Sequence, residues 1–176
     1  IFVPGSNLVE EKEQGTLMAM LVTPARIADV LTAMWMLGTL LASVMAAATL
    51  LLNQALGSNW LQVFVVVLVA AGLSSMIGLL IGTFAKDSAM MFGLVKGLGI
   101  FLFAPTLFYI FPDWPQWIAK LFPLYWILEP IWRVSIMGGS ISEVWIELTV
   151  AVGITLALIP VIGLVARRVQ SQMAAQ

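Results

Sequence analysis

The chain has 176 residues, of which 61% are hydrophobic and only 10% charged, and its mean hydropathy is +1.05. Water-soluble domains carry about a quarter charged residues, and a chain this size cannot enclose so much apolar surface, so lipid is the solvent it calls for. A net charge of −1 argues against a nucleic-acid partner, and the absence of Cys and His removes thiolate chemistry, the commonest general base and the commonest zinc ligand.

The first residue is Ile1 and no basic segment precedes an apolar run, so the opening is not a signal peptide and the chain reads as a piece of a longer protein. Residues 1–6 are expected to be the tail of a truncated span. Residues 7–28 hold the densest charge in the chain, with Glu10, Glu11, Lys12, Glu13, Arg26 and Asp29 in or beside them. Here Thr16 can cap a short helix, Leu17, Met20 and Leu21 share one face, and Pro24 stops it, which predicts an amphipathic helix on the membrane surface.

From Val30 to Ala85 there are 56 residues without a charge. One crossing takes about 20 apolar residues, so the stretch holds two spans, placed at 30–53 and 61–84, with a turn at Asn53-Gln54 and Gly57-Ser58-Asn59. Lys86-Asp87-Ser88 makes a charged turn before a third span at 89–111, which contains Lys96 and Pro105. A fourth span is placed at 144–166, followed by a tail at 167–176 that opens with Arg167-Arg168. Residues 112–143 carry four prolines and six aromatics. They are too interrupted to cross and too apolar for a water-filled loop, and are expected to form short helices, a re-entrant hairpin at the outer interface. The fold class is thus an all-α, polytopic membrane protein with about four complete transmembrane helices. Lys12, Arg26, Lys86, Arg167 and Arg168 fall on one side if spans alternate, and the basic-residue bias makes that side cytoplasmic.

Few polar side chains lie at membrane depth. Lys96 sits eight residues past Ser88, about 12 Å along a helix, where a charge must snorkel to the headgroups or face a protein interior lining a substrate route. Glu129 and Arg133, four apart, can pair on one helix face, and Glu147 enters the last span one turn in, directed at an outer vestibule. These four are the candidate substrate-path residues. Ser74, Gly78 and Gly82, and again Gly93 and Gly97, recur at intervals of four, a spacing that lets helices approach closely. A secondary transporter or channel would need more ionisable groups inside the membrane. An intramembrane enzyme would need a paired-Asp, Ser-His or metal constellation, and the four spans hold no His, Cys or Asp.

Glu11-Lys12-Glu13-Gln14-Gly15-Thr16-Leu17, followed by Leu21-Val22-Thr23-Pro24, resembles the cytoplasmic loop signature of type-2 ATP-binding-cassette exporter permeases. Phe111-Pro112, Pro115, Ile118 and Pro123 resemble that family's proline-punctuated outer hairpin. Met18 stands where the family often has Glu. The resemblance covers essentially the whole chain. It implies a permease subunit that exports a drug, lipid or polysaccharide across a bacterial or archaeal cytoplasmic membrane, working with a second permease copy or a paralogue. Catalysis would lie on a separate ATPase subunit that binds ATP and Mg, with no cofactor on this chain. It further implies that Glu11, Glu13, Gly15, Thr16, Leu17, Met20, Leu21, Thr23 and Pro24 couple the chain to that subunit. The alternatives are a secondary transporter or channel, and a membrane scaffold that binds an ATPase without transporting anything.

Overall fold

A computed structural model describes residues 2–15, 27–56, 59–111 and 113–173, with the side chains of residues 2, 100 and 165–173 outside the description. Among the described residues six α-helices follow one another: α1 Phe2–Glu13, α2 Ile27–Leu52, α3 Trp60–Phe84, α4 Ser88–Ile110, α5 Tyr125–Ile131 and α6 Trp145–Met173. The described residues contain no strand. Helices α2, α3, α4 and α6 are each long and apolar enough to cross a membrane.

The bundle is organised around α3. Sixteen of its 25 residues are buried, against three of 26 in α2. Leu73, Ile77 and Ile81 pack with Leu102 of α4, Ile127 of α5 and Ala151 of α6, while Met76 and Leu79 pack with Leu8 of α1, Leu31 of α2 and Ile162 of α6. Hydropathy cannot distinguish a lipid-facing helix from a protein-facing one, because both solvents are apolar. Small residues do, since close packing is what holds helices together in lipid. Gly78 and Gly82 receive α1: a Cβ on Gly5 would lie 2.3 Å from the Gly78 carbonyl oxygen, and one on Gly82 would lie 2.6 Å from the Gly5 Cα, while Ser74, one step back in the same run, is buried. Gly38 of α2 is similarly closed in by Pro4 and Ser75.

Three ends differ from the sequence expectation. Helix α1 does not stop at residue 6 but runs on through the charged stretch to Glu13, because its last charges find partners on α3 and α4. Helix α2 starts at Ile27 rather than residue 30, taking Asp29 into its first turn, where a carboxylate complements the helix dipole. Helix α6 passes residue 166 and continues to Met173, since Arg167-Arg168 ends the apolar run without supplying a helix stop.

Between α4 and α6 the chain breaks into a 3-10 turn at Ala119–Leu121, α5, a π-helical turn at Trp132–Ile136, and a second 3-10 turn at Ile141–Glu143. The longest continuous stretch, Tyr125 to Ile136, spans about 18 Å at 1.5 Å per residue, short of a roughly 30 Å hydrocarbon core. The segment between α4 and α6 is fastened to the turn after α2 by the Ser135 hydroxyl on the Ala55 carbonyl, and to α3 by the Ile141 amide on Gln62 Oε1 at 2.9 Å.

Candidate functional sites at the two ends of the bundle

At the charged end, α3 finishes without a basic residue in its last turn, leaving carbonyls in need of donors. Lys12 supplies them from α1. Its Nζ donates to the carbonyls of Gly82, Thr83 and Ala85 at 2.8, 3.2 and 2.9 Å. Three ammonium protons thus meet three oxygens at the negative end of the helix dipole. Burial lowers the Lys12 pKa from its ordinary value. The next residue does the converse for α4: Glu13 accepts from the Ser88 amide at 2.7 Å and the Ser88 hydroxyl at 2.6 Å. Those hydrogen bonds hold its carboxyl below the usual carboxylate range. Asp87 caps the same helix by accepting from the Met90 amide at 2.7 Å. Adjacent residues of opposite charge therefore clamp the end of one helix and the start of the next.

The two clamp residues are the second and third of the loop signature that begins at Glu11. Glu11 is part-exposed on α1, and Gly15 takes a left-handed φ of +70° with nothing near its Cα, a conformation that favours glycine. Thr16, Leu17, Met20, Leu21, Thr23 and Pro24 lie outside the described residues. The role of Lys12 was missed in the sequence. The available signal was a capless, all-apolar end to α3 opposite the one basic residue in a run of acids.

At the aromatic end, Glu129, Arg133 and Glu147 come together, and Lys96 does not. Arg133 Nε donates to Glu129 Oε1 at 2.6 Å, and the Tyr109 hydroxyl donates to Glu129 Oε2 at 2.6 Å. Arg133 Nη1 stands 4.0 Å from Glu147 Oε1. Burial is the largest single influence on Arg133 and opposes its charge, but the Glu129 hydrogen bond and the attraction of Glu129 and Glu147 together outweigh it and leave the pKa raised. Burial pushes the Tyr125 phenol up to about 12. The rings of Tyr109 and Trp132 stand 5.2 Å apart beside the cluster. The π-helical turn matters here, because its extra residue rotates Arg133 relative to the α5 register. Tyr109 was missed because it lies on α4, twenty residues from its partner, with no local pattern to reveal the contact.

Lys96 is exposed on α4, on the same side as Gly93 and Gly97, where an added Cβ would meet nothing within 4 Å. The two small-residue runs thus part company: the one on α3 is consumed inside the chain, and the one on α4 stays open. The described residues contain no group of His, Cys, Asp or Glu suited to hold a metal.

The chain matches, over residues 2–164, a family described as "Fluoroquinolones export permease protein Rv2686c-like", and it belongs to that family. This agrees with the resemblance to type-2 ATP-binding-cassette permeases. No curated protein and no solved structure matches it. With four helices fit to cross a membrane, the chain is an integral membrane protein of a permease type.

Proposed function

From that membership we propose that the chain is the membrane subunit of an ATP-driven exporter that moves fluoroquinolone-like drugs out across the bacterial or archaeal cytoplasmic membrane. A separate ATPase subunit binds ATP and Mg and docks on the loop between α1 and α2, and two permease copies or paralogues complete the assembly. The charged end faces the cytoplasm and the aromatic end faces outward. The observation that carries this reading is the clamp. The loop signature begins in the last turn of α1, and two of its own residues, Lys12 and Glu13, grip the end of α3 and the start of α4 just before the chain enters the loop. A tilt imposed on the loop is therefore delivered to both helices as one rigid displacement, the kind of shift that packed helices pass on.

The test is drug accumulation in cells expressing the protein with its co-encoded ATPase, beside ATP hydrolysis by the purified complex. Leu17→Asp should abolish export and its link to hydrolysis while the protein stays inserted. Normal export by that variant, with hydrolysis still stimulated by the drug, would sink the coupling reading.

A further inference from the structure

We propose that Glu147, Arg133 and the Tyr109–Trp132 ring pair bind a small zwitterion with a flat aromatic ring, its ammonium on Glu147 and its carboxylate on Arg133. The inference rests on the drug-export reading and adds the chemistry by which the outer end recognises the cargo.

The two glutamates of the cluster are equally withdrawn from water, each side chain 12% exposed, yet they are not equally satisfied. Both oxygens of Glu129 are spent, one on Arg133 and one on Tyr109. Glu147 has no hydrogen-bond donor among the described residues, and its nearest cation is the Arg133 nitrogen at 4.0 Å. A mostly buried carboxylate in that state is costly, and a cation or a donor relieves the cost. Arg133 is unfinished in the complementary sense. Its Nε alone is hydrogen-bonded within the cluster, its terminal nitrogens make no hydrogen bond there (Nη1 stands 4.0 Å from Glu147) and can take a carboxylate as a fork, and its side chain is 40% exposed.

Charge sign then selects the ligand. A simple cation would satisfy Glu147 but meet the guanidinium beside it. A simple anion would satisfy Arg133 but meet Glu147. A molecule carrying both charges gives each group a partner of opposite sign, and, being neutral overall, it adds no net charge to the cluster of two glutamates and one arginine. The ring pair adds a surface for a flat aromatic body: Trp132 is 39% exposed and tilted 45° to Tyr109. The groups come from α4, the α5–π segment and α6, so a bound zwitterion bridges three elements. An aminophospholipid headgroup offers the same two charges but has no ring to place there.

The experiment is titration of the protein, purified and held in nanodiscs of phosphatidylcholine and phosphatidylglycerol, with a fluorescent fluoroquinolone that has a free amine and a free carboxylate. Its methyl ester and its N-acetyl derivative are titrated beside it. Each blocked compound should bind on the order of tenfold more weakly than the parent. Glu147→Gln should erase the difference between the parent and the N-acetyl compound while keeping the penalty for the ester, and Glu147→Asp should restore it. Equal binding of all three compounds, or a Glu147→Gln variant that weakens all three alike, overturns the proposal, as does displacement of the probe by phosphatidylethanolamine. If drug accumulation in cells still falls when the protein is expressed, those outcomes leave the export reading standing and remove only this site. If the protein neither binds the parent compound nor lowers accumulation, the export reading fails as well.

Discussion

At the charged end, Lys12 donates to the end of one helix and Glu13 accepts from the start of the next, and these are the hydrogen bonds they are seen to make across the bundle. At the aromatic end, Glu129 and Arg133 turn to each other and Glu147 is left over. In the first region, side chains complete a backbone that would otherwise carry unmet carbonyls and amides, and the charges of clamp and helix termini cancel. In the second, side chains meet side chains, and the sum of charge does not close. The difference separates a joint from a receptor. A joint should be saturated, because any unmet group weakens it. A receptor should not be, because its unmet groups are what a ligand completes.

The largest effect should come from breaking the joint. Lys12→Met leaves the Gly82, Thr83 and Ala85 carbonyls without their donor and should cost about 2–3 kcal/mol, read as a lowered midpoint in thermal unfolding of the purified protein. Lys12→Arg should recover part of it. At the other end, Glu129→Gln keeps the shape but removes the charge facing Arg133, and about 1–2 kcal/mol is expected. Export should suffer more there than stability does. A greater thermal loss from Glu129→Gln than from Lys12→Met would reverse the assignment of joint and receptor.

Tyr109→Phe removes one hydrogen bond to Glu129 and should cost about 1 kcal/mol, with a Glu129 oxygen freed to compete for the ligand's ammonium. The smallest effect is the pH dependence of the clamp. Hydrogen bonds to Ser88 depress the Glu13 pKa in the folded protein, so its contribution is complete above the ordinary carboxylate value of 4.5 and is lost as pH falls through the lower folded value. Wild type should therefore lose slightly more thermal stability than Glu13→Gln between pH 6 and pH 3. Parallel curves would mean that the Ser88 contacts add nothing to the joint.

Much of this was legible in the residues. The uncharged run from Val30 to Ala85 and the prolines after Phe111 placed the crossing helices and the interrupted segment, because membrane thickness and helix breaking act on local sequence. The pairing of Glu129 with Arg133 was readable for the same reason, being one helical turn. What could not be read was which apolar helix lies inside. Helix α3 differs from its neighbours in the partners its small residues meet, and those partners are distant in sequence: Gly5 with Gly78 and Gly82, Trp35 with the Gly72 carbonyl at 3.0 Å. Likewise Lys12 was visible only as one charge among acids. Its work depends on carbonyls some seventy positions away.

The central place of α3 has a consequence for how the chain comes together as it is made. Two of its neighbours, α1 and α2, precede it in synthesis, while α5 and α6 follow after another complete crossing. When α3 first enters the membrane it can seat Gly78 and Gly82 against Gly5, but Ala70, Leu73 and Ile77 must wait for Ile127 and Ala151. Until then lipid tails stand in for protein at no hydrophobic penalty, and the half-built bundle is tolerated rather than driven shut. Helix α6 is thus the one that closes the packing around α3, and that packing waits until α6 has been translated.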